Sequence, residues 1–260
     1  MKCETIQRSK SEQRQSMVCS PNRGDAQMDH QPFPQKGRLA KNMDFPLTKL
    51  RAKIGSEHAE VYCYVVETVK CRNCSVRQKG SAPNFQGGLI TLCTCKHLMR
   101  TSLDPDKWKG KWIAGFSGVE AGKGCNALFY LMKIQHALKS HQRLWFCEDI
   151  PEETKVAKSA HRNRFGDVYE PKNKKSQASN EFAIRTYLCL HPDHSHNNCC
   201  AMHKDTDYKG YKDRRPALLV GDPKHSFLWQ QPTIFCKFQL PRNSKKLKIS
   251  KLIEHLRGDR

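Results

Sequence analysis

Acidic residues are scarce in this sequence. Its 25 Asp and Glu face 46 Lys and Arg, a formal net charge of +21 at pH 7. A chain so biased is a poor partner for cations and a good one for polyanions, with nucleic acid or a nucleotide first and an anionic membrane surface second. Long apolar runs are also missing. No stretch reaches the roughly 18 consecutive apolar residues of a membrane span, so no membrane partner is expected. The opening MKCETIQRSKSEQRQ has no apolar centre and predicts no secretory leader. The expected compartment is therefore the reducing cytoplasm, with the 13 cysteines as free thiols rather than a disulfide framework. Nor is there an internal repeat, a P-loop, a dinucleotide-binding glycine fingerprint or a nucleophile elbow. GFSGVEAGKG has glycines, but at spacings that fit neither phosphate-binding motif.

What is present suits one medium domain with tails. An apolar fraction of 37% can supply one core but not 260 tightly packed residues. Residues 1–53 are polar and basic, and predict a disordered tail whose Lys and Arg could track phosphates. A single domain is expected over 54–240. AEVYCYVVETVK (59–70) reads as a strand with apolar groups on both faces, hence central in a sheet. Further strands are predicted at 88–95, 111–118, from 126 to about 134, at 216–222 and at 233–238. KHLMR predicts one helical turn. Residues 241–260 predict a basic amphipathic C-terminal helix, capped at Ser244 or Asn243 and stopped at Gly258. Many strands and few helices predict an α+β fold around a mixed or mainly antiparallel sheet, with a partly closed barrel as a variant.

Three clusters carry chemistry. Cys71 and Cys74 form a Cys-x-x-Cys pair able to aim two sulfurs at one zinc ion. CLHPDHSHNNCCAMH supplies His191, His194, Cys199 and His203 as further metal ligands, although its spacing fits no standard finger and a solvated loop is the plainer reading. Cys93 and Cys95 are two apart, so in a strand they share a face and suit a buried wall. Lys96 and Arg100 follow just beyond the strand end, where two cations and exposed backbone N–H groups can hold an anion. Lys96 would be a nucleophile only with a depressed pKa. Asp167, after Gly166, is a base, a ligand or an ordinary turn former.

The order of these pieces resembles a known family. Ala82-Pro83-Asn84 is followed by Cys93-Thr94-Cys95-Lys96, by Arg100, by a strand from Trp112 to Gly115, by LFYLMKI, and by Gly166-Asp167-Val168-Tyr169. This is similar to the nucleotide modification associated domains of bacteria and bacteriophages, which stand beside DNA-base hypermodification genes. The likeness covers roughly 59–238. His97 departs from it, standing where the family pattern has Pro. The resemblance implies a role linked to modified nucleotides or modified DNA, alongside other base-modification proteins. It implies a nucleotide site built from Ala82, Pro83, Asn84, Lys96, Arg100, Trp112 and Tyr169, with Lys96, Asp167 and Cys95 as catalytic candidates. Whether such a site catalyses or only reads a modified base in DNA stays open at this point. So does a third role, a zinc-stabilised scaffold of a modification or defence complex.

Overall fold

The computed structural model describes residues 30–72, 75–120, 124–175, 179–188, 205–241 and 243–258. In chain order its elements are α1 (Gly37–Lys41), α2 (Leu47–Ile54), β1 (Glu60–Val65), β2 (Val69–Arg72), β3 (Ser75–Gln78), β4 (Thr91–Leu92), α3 (His97–Arg100), β5 (Trp112–Phe116), β6 (Leu128–Leu138), α4 (His141–Trp145), α5 (Glu152–Ala157), β7 (Leu218–Leu228), β8 (Ile234–Cys236), β9 (Lys245–Lys248), α6 (Ile249–His255) and β10 (Leu256–Gly258). Six strands form one sheet in the order β4-β7-β6-β5-β1-β9. Only β1 and β5 run parallel within it; the other pairings are antiparallel. The fold is therefore α+β with a mainly antiparallel sheet. That sheet is open, with β4 and β9 at its edges, so the barrel variant is not adopted. Among the described residues no helix is long and apolar enough to cross a membrane.

Successive residues along a strand face opposite ways, and the core divides accordingly. Tyr62, Tyr64, Ile113, Tyr130 and Met132 pack on one face. Val61, Cys63, Trp112, Ala114 and Leu131 pack on the other. The doubly apolar pattern of β1 thus reports burial on both faces, as predicted.

Both ends of the domain differ from expectation. The segment from residue 30 to 54 is no loose tail. Phe33 and Leu39 enter the first core face, while Leu50 and Ile54 enter the second beside Ile249, Leu252 and Ile253 of α6. A few apolar anchors spread over a polar stretch give little periodicity, so only tertiary contact reveals them. Residues 1–29 lie outside the described part. At the other end the expected single helix is split. Lys245–Lys248 add β9 to the edge of β1, α6 occupies only Ile249–His255, and β10 returns to pair with β8. Lys248, not Ser244 or Asn243, precedes the helix, and Gly258 ends a strand. Lysines along β9 fit an outermost strand, where charge discourages pairing with another chain. Glu60 lies between Lys111 (2.5 Å) and Lys246 (3.0 Å), whose bonds hold its carboxyl down to about 2.

Candidate functional site

The strand expected over 88–95 stops at Leu92. Asp167 supplies the reason. Its carboxylate accepts both oxygens' worth of contact from Thr91 Oγ1 (3.0 Å each) and a bond from the Cys93 backbone N–H (3.1 Å). An amide committed to a side chain cannot extend the ladder, and the chain bends through Cys93-Thr94-Cys95. The inference that the two thiols share one strand face therefore fails. Cys93 is buried with Leu144, Trp145 and Val168, whereas Cys95 packs against the Tyr64 side of the core. Lys96 follows in the left-handed region (φ 55°, ψ 41°) and α3 begins at once. The Lys96 ammonium sits 4.8 Å from the centre of the Tyr64 ring, and the Tyr64 hydroxyl bonds that of Tyr130 at 2.8 Å.

The Ala82-Pro83-Asn84 turn, with a cis Ala82–Pro83 bond, is held wholly by the protein. Gln78 Nε2 donates to Ala82 O (2.9 Å), and Gln31 Nε2 donates to Pro83 O (3.0 Å). Asn84 is fully buried; its Nδ2 donates to Phe165 O, and its Oδ1 accepts from Gln86 N (3.0 Å) and Lys158 Nζ (2.8 Å). Asn84 is thus a brace between the turn and its neighbours rather than a free base-reading amide. Lys158, at the C-terminal end of α5, completes its donors with Asn84 O (3.0 Å) and Leu89 O (2.9 Å). Burial pulls the Lys158 ammonium down to about 8, opposed by the charge of Asp167. Burial pushes Asp167 up to about 6, opposed first by the charge of Lys158 and then by the Thr91 and Cys93 hydrogen bonds. The two act on each other through space, not as a contact pair.

Arg100 is the centre of the second group. It is fully buried, and donates through Nε to Cys95 O (2.7 Å) and through Nη1 to Ala217 O (2.8 Å). Its Nη2 is buried with no hydrogen-bond partner. His141 lies within reach of the guanidinium charge and stacks on Tyr169 at 4.3 Å. Ser140 caps α4 through Arg143 N (3.1 Å), which fixes His141 as the first helical residue. The Tyr169 backbone N–H donates to His141 Nδ1 (3.2 Å). Burial holds the imidazole down to about 3, hence neutral, and with Nδ1 accepting the proton must sit on Nε2. That Nε2 is buried and makes no bond of full hydrogen-bond geometry, with the Asp205 backbone its one acceptor within reach. Asp205 closes the group, 2.6 Å from His97 Nε2 and accepting from the Tyr169 hydroxyl.

The thiols do not look activated. Burial pushes Cys95 up to about 11 and Cys93 well above its ordinary value. A nucleophilic cysteine requires the opposite shift.

Of the residues singled out by sequence, the fold brings Lys96, Arg100, Asp167, Tyr169 and Cys95 into one neighbourhood, with Ala82, Pro83 and Asn84 as its scaffold. Trp112 is elsewhere. It is buried on the opposite sheet face, with its indole N–H on Glu57 (3.1 Å). Cys71 lies in β2, while Cys74, His191, His194, Cys199 and His203 fall outside the described residues. The one three-donor cluster among the described residues is different: His136, Cys147 and Asp149, with ligand atoms within 4.8 Å of one another. Sequence inspection missed Lys158, His141 and Asp205. Lys158 and His141 are polar residues in unremarkable polar stretches that only burial makes notable, and Asp205, half-buried, is marked only by its bonds to His97 and Tyr169.

Residues 58–210 match the model of nucleotide modification associated domain 2. The chain belongs to that family. No curated protein and no solved structure matched it. The family's name ties the chain to nucleotide modification, and the structure gives a reason for two of this chain's motif glycines. A Cβ on Gly115 would lie 2.1 Å from the Tyr130 ring, so the strand glycine makes room for the tyrosine that bonds Tyr64. A Cβ on Gly166 would lie 2.6 Å from Lys158 O, the carbonyl that accepts the N–H groups of Asp167 and Val168. His97, the departure from the pattern, is the first residue of α3, a position where proline loses no helical hydrogen bond. His97 uses that position to bond Asp205 through its ring Nε2 (2.6 Å). The match ends before β7, yet β7 pairs along β6, so the sheet extends beyond the matched segment.

Proposed function

We propose that this nucleotide modification associated domain binds a nucleotide or a modified base between the Lys96–Arg100 turn and His141, and acts on it during DNA-base modification. One observation carries the proposal. Arg100 Nη2 is a buried donor with no partner, and beside it the buried His141 Nε2 has only the Asp205 backbone within reach. A buried donor without an acceptor costs its full desolvation, about 1–3 kcal/mol and more for a charged group. A buried guanidinium N–H left open next to a weakly engaged imidazole N–H favours a ligand that supplies acceptors, such as a phosphate oxygen or a base carbonyl. Lys96 adds a second cation, and Tyr169 adds an aromatic wall behind His141.

A catalytic role is supported by Asp167 and Lys158, whose pKa values of about 6 and about 8 bracket neutrality, where proton transfer is most effective. Asp167 is the preferred base. Cys95, with its raised pKa, serves better as wall than as nucleophile. The same pair also has a purely structural reading, since every Lys158 donor is satisfied. A non-catalytic reader of modified DNA is therefore the second reading, favoured by the net charge of +21. The seven described cysteines are unpaired, which suits a cytoplasmic setting with bacterial or phage DNA and other base-modification proteins as partners.

The test is mass spectrometry of small molecules released from the purified protein, with Arg100→Met as comparison. A nucleotide or modified base is expected from the wild type and at least tenfold less from the variant. Equal recovery from both, with the variant folded, would remove Arg100 from the site. Product formation from the recovered compound separates enzyme from reader.

A further inference from the structure

Outside the family-matched segment, four cations from distant parts of the chain converge on one groove. Arg38 and Lys41 come from α1, Lys53 from α2 and Lys224 from β7, and with His225 they line a cavity of about 730 Å³. No carboxylate lines it. Among the described residues none of the four forms an ion pair. Asp222 is bonded to His225 at 2.7 Å, and its charge also reaches Lys224. Lys53 is held in place, its ammonium over the Phe45 and Phe227 rings (5.8 and 5.3 Å) and donating to Lys224 O (3.1 Å). Like charges held around a concavity repel one another, and an anion filling the groove relieves that repulsion.

We infer that this groove seats the phosphodiester backbone of a nucleic-acid strand. The inference deepens the function proposed above: the base acted on belongs to a polymer rather than a free nucleotide. The lining fits backbone contact without base readout. Asn42, the one amide in the groove, is already bonded to Ser226 O at 2.9 Å. Contacts of this kind position a strand and carry no sequence information. An anionic membrane is the weaker fit. Interfacial docking needs an apolar face beside the charges, and the exposed large apolar residues of the described part, Leu98, Val119 and Tyr211, are not in the groove.

The experiment measures binding of a labelled oligonucleotide duplex and single strand across a salt series. The groove variant replaces Arg38, Lys41, Lys53 and Lys224 with Ala. A control variant replaces Lys109, Lys139, Lys172 and Lys175, which carry the same charge on exposed positions elsewhere. Each phosphate contact contributes about 0.9 to the logarithmic salt slope on duplex DNA. The groove variant is expected to lower that slope by up to about 3.6 and to weaken binding at least tenfold at about 0.1 M salt, with the control close to wild type. Equal losses in both variants would mean that net charge alone acts, and would overturn the groove. So would unchanged binding by the groove variant, no oligonucleotide binding by the wild type, or groove-dependent capture by phosphatidylserine vesicles in its place. Mononucleotide binding on the same proteins keeps the two proposals apart. Loss at Arg100→Met with retention in the groove variant supports the base site alone, whereas oligonucleotide binding without any mononucleotide binding leaves the groove and removes the base site.

Discussion

Replacing Lys158 with Met tests whether a single buried ammonium organises the site. The two side chains are similar in length, so the space stays filled, but three acceptors lose their donor: Asn84 O, Asn84 Oδ1 and Leu89 O. Hydrogen bonds to charged groups contribute about 1.5–3 kcal/mol each. Against that loss stands the desolvation of the ammonium, several kcal/mol, which the variant no longer bears. Breaking a buried charged constellation by removing one member usually leaves a net loss of about 3–5 kcal/mol. For a domain of this size that lowers Tm by roughly 6–20 °C. Thermal and urea unfolding at pH 7 measure it. The pH dependence supplies a second, independent check. Lys158 titrates near 8 in the folded protein against an ordinary 10.5. Between these values the unfolded chain binds more protons, so wild-type stability rises with pH there. The variant lacks this gain, and the gap between the two proteins should widen as pH rises from about 8 towards 10. A loss below about 1 kcal/mol together with a gap independent of pH would refute the assignment of a buried, proton-bearing Lys158.

Other variants address other parts of the argument. Asp167 titrates near 6 against an ordinary 3.8, so the folded state binds more protons in that window and wild-type stability falls as pH rises through it. Asp167→Asn should therefore gain about 3 kcal/mol relative to wild type between about pH 4 and 6 in urea titrations; the opposing slope from His141 is common to both proteins and cancels. At Lys96, whose φ is 55°, Gly should be more stable than Ala by about 1 kcal/mol, the reverse of the usual order. Both should lose ligand, and Ala matching Gly in chemical unfolding would argue against the left-handed turn. Leu39→Ala should cost about 2–5 kcal/mol if α1 belongs to the core; an unchanged midpoint would return that segment to the status of a tail.

How much of this was legible in the sequence follows from how each feature is encoded. Strand character in β1, β5 and β6 shows in local composition, because both faces of a central strand are apolar and β-branched or aromatic residues crowd there. The one-turn helix after Lys96 and the turn at Gly166 were equally local. The extent of β7 was not, since the polar residues 222–225 interrupt its apolar pattern, and only the resumed pairing of Ser226–Leu228 with β6 shows that the strand continues beyond them. The C-terminal segment misled for a related reason: KKLKISKLIEHL is periodic enough for a helix, and the free edge of β1 takes its first part as a strand.

The sequence by itself determined the charge, the absence of an apolar span, the α+β class and the motif order that marks the family, because each is a property of composition or of residues close in the chain. Only the tertiary structure decided where those motif residues sit and what they touch. It buried Asn84 as a brace, set Trp112 on the other side of the sheet and added Lys158, His141 and Asp205. Burial alone makes an ordinary lysine or histidine consequential, since it removes the water that would otherwise satisfy the group and forces the protein, or a ligand, to supply the partner. Burial is set by contacts between residues far apart in the chain.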